Sequence, residues 1–192
     1  MQSANGGGAS MYRIEQLRSL EADVSAEIEK LQPDRVSNSA DLPASGDATY
    51  VGIMSLSVPT LDSASPSDLI YGFLDVSADF AGSQTTLSGS ANGFRNLDDA
   101  VYSGELDITG RTAPSGIASG FLVLGDVEGD LLTPNDSPLS LDIELLADVY
   151  GAGGDAILGT LSGTGQVEAE DGSHGRASSV FGTFLAAADE PI

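Results

Sequence analysis

The chain has 192 residues, of which 29 are acidic and 7 basic, giving a formal net charge of −22. With 41% apolar residues it can bury the core of one domain, while so negative a surface repels nucleic acid and anionic membranes. The absence of Cys and the single His, His174, exclude disulfides, thiolate chemistry, Cys-ligated metal centres and most His-based sites.

Residues 1–10, MQSANGGGAS, are small and polar. They hold no apolar run of the kind a secretory signal or a membrane-spanning helix needs. The start reads as that of a protein made in the cytosol, or of a secreted chain whose leader has been replaced. Residues 11–31 then carry the helical signal. Ser10 is placed to cap the start and Pro33 to stop the helix beyond Leu31. Ile14, Leu17, Val24, Ile28 and Leu31 fall on one seam at alternating spacings of three and four, with Glu21 as its polar member. So short a seam is marginal as an isolated coiled coil. It either packs on its own domain or docks on a partner, and these five residues are the candidate partner-docking face. Residues 32–47, QPDRVSNSADLPASGD, have the Pro, Ser and Asp content of a linker, which favours an arm. The chain accordingly divides into an N-terminal part, 1–47, and a β domain, 48–192.

From Tyr50 onward the period becomes two. Eight strands are predicted, at 49–58, 68–80, 84–94, 100–110, 119–130, 139–150, 155–168 and 178–187, with breaks at Pro, Gly and Asp clusters. In 139–150, Leu139, Leu141, Ile143, Leu145, Ala147 and Val149 oppose Ser140, Asp142, Glu144 and Asp148. One buried and one wet face means antiparallel pairing. Gly52, Gly72, Gly89, Gly104, Gly125, Gly129, Gly159, Gly163 and Gly182 interrupt these strands, mostly in the apolar register. Interior Gly weakens a strand and so needs a reason. A small closed barrel provides one, because its strands coil tightly and large groups alternate with tiny ones inside. The expected fold is all-β: an eight-stranded antiparallel up-and-down barrel with one N-terminal α-helix, and a β-sandwich as second choice.

Charge follows this division. Residues 1–46 hold 7 acidic and 4 basic side chains, net −3, and residues 47–192 hold 22 and 3, net −19. The outward rows of the barrel are therefore acidic, as suits a crowded or saline setting. Asp126, Glu128 and Asp130 share one strand face, and Asp142, Glu144 and Asp148 another. Paired carboxyls serve glycoside hydrolysis only across a cleft, and these lie in the exposed register of a chain without Trp. The segment Gly151 to Leu158 faintly resembles a calcium-binding nonapeptide, yet a single copy cannot stack and reads as a hairpin turn. Asp98 and Asp99, or Glu168, Glu170 and Asp171, have oxygen ligands for a loosely held cation. His174 beside Ser173 lacks an orienting acid and an oxyanion hole in the sequence around it. No catalytic residue, metal site or cofactor is expected.

Four short signatures add a resemblance. Tyr50-Val51-Gly52-Ile53-Met54, Tyr102-Ser103-Gly104-Glu105-Leu106, Gly159-Thr160-Leu161-Ser162-Gly163-Thr164 and Val180-Phe181-Gly182-Thr183-Phe184 are similar to the eight-stranded barrel of transferrin-binding-protein-B-like surface proteins, over about residues 48–188. The resemblance implies a barrel and an exported lipoprotein that binds host proteins or small ligands through its loops. The chain departs from that pattern in having no lipoprotein Cys and in carrying an N-terminal helix, and no binding residue carries over.

The resulting expectation is a non-enzymatic virion structural protein of the capsid-decoration or head spike and fibre type. It would be made in the host cytoplasm and display its barrel from an N-terminal arm. Its expected partners are other virion or assembly proteins, further copies of itself, and a host-surface glycan or protein at the barrel loops. Nucleic acid and membrane insertion are not expected. The alternative is a ligand-binding barrel of the bacterial cell surface or periplasm.

Overall fold

The structure, a computed structural model, describes residues 12–31, 36, 42–61, 66–81, 84–112, 123–151, 153–169 and 177–188. One helix, α1 (Ile14–Leu31), precedes eight strands: β1 (Ser45–Pro59), β2 (Ser67–Ala81), β3 (Gln84–Asn96), β4 (Val101–Thr112), β5 (Val123–Leu132), β6 (Pro138–Tyr150), β7 (Ala156–Val167) and β8 (Ser178–Ala188). Each strand pairs antiparallel with the next, and β8 returns to β1 to close an up-and-down barrel. Elements and topology are those expected. The expected helix start, its Ser10 cap and residues 119–122 of the fifth strand lie outside the described residues.

Alternation in the sequence becomes inside and outside in the barrel. Along β6, Leu139, Leu141, Ile143, Leu145, Ala147 and Val149 are buried, whereas Ser140, Asp142 and Glu144 are exposed. Rows across the barrel mix sizes: Gly52 faces Leu74, which faces Ala91, which faces Leu106. Tyr50, Phe94, Phe184, Leu106 and Leu131 are among the largest fully buried side chains. Each such burial contributes about 1.5–3 kcal/mol.

The interior glycines have a further cause beyond filling. A Cβ on Gly52 would stand 1.8 Å from the Leu185 carbonyl oxygen and 2.6 Å from the Ala186 Cα. The neighbouring backbone occupies that space, so β1 and β8 approach more closely than side chains allow. At Gly72 the obstacle is the Phe94 ring, 2.4 Å from the missing Cβ. Phe94 reaches that place through a bulge, where the β3–β4 register shifts between Asn92 and Phe94 and Gly93 takes the left-handed φ of 67°.

The barrel has two unlike ends. At one, where β1 begins and β8 finishes, Val36 and Leu42 join the lumen core at 6% and 7% exposure. The Val36 amide also donates to the Val149 carbonyl at 2.9 Å. The segment expected to be a linker therefore closes a mouth of the barrel with these two residues, and β1 begins at Ser45, inside the expected linker. The other end carries the β1–β2, β3–β4, β5–β6 and β7–β8 connections.

Candidate functional site

The seam of α1 lies on the outer wall of its own barrel. Leu17 is fully buried on Ile53 and Tyr71, with Tyr12, Ile14, Leu20 and Phe73 around them. Val24 and Ile28 are buried with Tyr150 and Ala156, flanked by Leu31, Leu158, Leu185 and Ala187. Of the five residues expected to dock on a partner, Leu17, Val24 and Ile28 are thus covered by this chain, and Ile14 and Leu31 are half-buried beside them. Docking through that face would require the helix to leave the wall. The outward positions beneath it show why it sits there: Ile53, Tyr71, Phe73, Leu158 and Leu185 make an apolar strip on the outer wall that the helix covers.

The helix is fixed at its N-terminus by the β3–β4 turn. Asn96 builds that turn, its Oδ1 accepting from the amides of Asp98 (3.1 Å) and Ala100 (2.9 Å). Asp99 then adopts a left-handed φ of 63°, and its Oδ1 accepts the Ile14 amide at 3.0 Å. That hydrogen bond, with the charges of Arg95 and Arg13, holds the Asp99 carboxyl below its ordinary value. Arg95 bridges the two segments, donating through Nε to the Tyr12 carbonyl and through Nη1 to the Asp99 carbonyl at 2.9 Å. Gln16 completes the cap locally by accepting the Arg13 amide at 2.9 Å. A carboxylate 85 positions away in the chain thus does what an N-cap side chain usually does.

Immediately before the helix, the Tyr12 ring stacks on Phe73, with centroids 4.9 Å apart and planes 11° from parallel. These rings wall a shallow groove of ≈ 540 Å³ over β2, β3 and β4, lined also by Asp75, Ser90, Asn92, Glu105 and Asp107. Ring edges beside carboxylates and an amide suit hydroxyl-rich or cationic groups. Spacing in the sequence does not bring these residues together; the cross-strand register does, with Asp75 opposite Ser90 and Ser90 opposite Asp107.

The acidic rows continue round the barrel. Asp107 faces Glu128, Glu128 faces Asp142, and Asp126 faces Glu144, all exposed. Like charges directly opposite one another destabilise a sheet. Asp130 accepts from the Ser140 hydroxyl at 2.5 Å, and Asp148 is half-buried in the same outward register. Of these strand carboxylates, Asp107 lines the shallow groove beside Tyr12 and Phe73. Apolar residues inside and carboxylates outside reverse the pattern of a lipid-spanning barrel. Among the described residues, no group of three His, Cys, Asp or Glu is arranged to hold a metal ion.

Polar groups that enter the core are paired. The Tyr50 hydroxyl donates to the Gly154 carbonyl at 2.5 Å, and burial, with Asp155 nearby, pushes its ionisation well above the ordinary value of 10.0. At the opposite end Asp68 accepts from Tyr102 (2.9 Å) and Asn96 (2.8 Å). Burial and this bond raise the Tyr102 hydroxyl likewise. Among the described residues no buried side-chain nitrogen or oxygen lacks a partner. Gly151 and Gly154, both at positive φ, form the β6–β7 turn with a 3.0 Å bond from the Gly154 amide to the Gly151 carbonyl, as a hairpin reading requires. Glu168 follows β7, its amide bonded to the Pro138 carbonyl at 2.9 Å. Glu170, Asp171, Ser173 and His174 lie outside the described residues.

The fold and its surface define an eight-stranded barrel with a packed lumen, an acidic wall and a helix strapped across its closing strands. Comparison with protein families, with curated proteins and with solved structures finds no match.

Proposed function

We propose that the protein is a non-enzymatic display module, a virion structural component of the decoration or spike type that holds an acidic barrel on a larger assembly. The observation that carries this reading is the use of the interior. Among the described residues, inward positions are spent on packing, the buried polar side chains have hydrogen-bond partners, and the carboxylates of the acidic wall on β4, β5 and β6 face water. Such a barrel is a rigid, soluble body whose surface is its useful part. With the seam of α1 already on the barrel wall, attachment in this reading falls to another face.

The test is fractionation of a culture of the source organism after particle induction, with the chain followed by mass spectrometry. Co-sedimentation with capsid proteins at constant stoichiometry is the expected result. Recovery in an envelope or periplasmic fraction overturns it in favour of a ligand-binding surface barrel, the reading that the transferrin-binding-protein-B-like signatures imply. That second reading has its own support in the groove of Tyr12, Phe73, Asn92, Asp75, Glu105 and Asp107.

A further inference from the structure

Six large apolar side chains stand exposed among the described residues: Leu61, Leu69, Leu97, Val101, Leu132 and Phe181, at 36–61%. Single exposed apolar residues are ordinary. Their placement here is not, because all six lie at one end of the barrel. Leu61 follows the last residue of β1, Leu69 is third in β2, Leu97 lies in the β3–β4 turn, Val101 opens β4, Leu132 ends β5 and Phe181 is fourth in β8. Strand direction alternates, so odd strands finish and even strands begin on the same rim. Leu69 and Phe181 flank Ser57 in the outward register, each about 5 Å from it. The result is a collar over six of the eight strands. It lies at the end away from the mouth that Val36 and Leu42 close.

We infer that this collar is the face by which the barrel seats on a different protein, one that presents an apolar surface flanked by lysines and arginines. The inference rests on the display reading above and names its mounting face. Charge selects the partner. Exposed Asp98 and Asp136 stand in the β3–β4 and β5–β6 turns at this end, and exposed Asp130 sits two residues before Leu132. A second copy would bring these carboxylates against their own kind with −22 on each chain, and an anionic lipid surface repels them likewise. A basic rim on the partner neutralises them while the apolar groups meet.

The probes are two synthetic amphipathic peptides of equal length, one of Leu and Lys, the other of Leu and Glu. Their footprints are read from backbone amide shifts of the isotope-labelled full chain. Titrations are run at 0.15 M salt, where the Debye length is about 8 Å, so that charge selection survives and the footprint separates the collar from simple attraction to the acidic wall. The Leu/Lys peptide is expected to shift amides around residues 61, 69, 97, 101, 132 and 181, leave the β5–β6 wall still, and bind at least tenfold tighter than the Leu/Glu peptide. The exposed-site double variant Phe181→Glu with Leu97→Glu is expected to lose at least tenfold in affinity with unchanged melting. A footprint on the Asp126–Glu144 wall, equal affinity for both peptides, or no binding overturns the proposal. So does a concentration-dependent dimer in sedimentation whose interface maps to the collar. A collar footprint in a chain absent from particles keeps this interface and removes only the display reading.

Discussion

Glu128 is the most informative single position on the acidic wall, because it opposes both Asp107 and Asp142. Cross-strand Cβ atoms lie about 5 Å apart, which puts the carboxylates about 6 Å apart, where two unit charges in water repel by about 0.7 kcal/mol. Screening reduces this with ionic strength. Over the two pairs, Glu128→Gln should stabilise the fold by about 1.1 kcal/mol at 0.01 M salt, about 0.7 at 0.15 M and about 0.2 at 1 M. Glu and Gln differ little in shape, so the salt dependence isolates the charge. Urea unfolding of both proteins at the three salt concentrations reads it directly. A gain that does not shrink with salt refutes the electrostatic reasoning. A loss of stability refutes it more sharply.

Three further outcomes follow from the same geometry. The Tyr50 hydroxyl ionises well above 10.0 when folded, so its contribution is complete below the unfolded value and is lost as pH rises toward the folded one. At pH 11 the loss is about 1.4 kcal/mol; Tyr50→Phe should flatten this part of the urea-midpoint profile between pH 9 and 11, and an unchanged slope counts against it. Gly52→Ala forces a methyl against the Leu185 carbonyl and should cost about 3 kcal/mol, whereas tolerance within 0.5 kcal/mol would mean that β1 and β8 do not approach so closely. Ile28→Glu should lift the C-terminal half of α1 from the barrel at about 2 kcal/mol, lowering Tm by about 4–8 °C and quickening amide exchange over residues 24–31; unchanged melting would mean that the helix is a free arm.

Strand positions were legible because burial on one face imposes a period of two, and each Pro or Gly cluster marks where that period stops. The interior glycines were legible as signs of a tightly coiled barrel, but the particular obstacle at each depends on register. At Gly52 it is a backbone carbonyl, at Gly72 a phenylalanine ring. Neither is written locally. Val36 and Leu42 carry no signal in the sequence, because two isolated apolar residues in a Pro- and Ser-rich stretch have no period. The seam of α1 was readable as apolar, but its cover was not, since Ile53, Tyr71 and Phe73 look like lapses in the outward register until a helix is laid over them. In the sequence Asp99 reads as a loop acid able to hold a cation. Its bond to the Ile14 amide depends on the closed barrel bringing that turn beside the helix. The collar was invisible for a related reason, as one apolar residue at each of several strand ends disturbs no pattern.

The position of α1 bears on how the cylinder opens. Pairing of β1 with β8 joins the ends of the β domain, Tyr50 to Ala188, and is the most remote strand pairing of the barrel. Closing so large a loop is entropically costly and kinetically late. Leu17 grips Ile53 and Tyr71 on β1 and β2, while Val24 and Ile28 grip the β7–β8 side of the same joint. The helix therefore works as a clasp: β1 cannot peel from β8 until it lets go. Interactions of this kind slow unfolding without hastening folding when they form after the transition state, and such endurance against rare opening would suit the proposed display role.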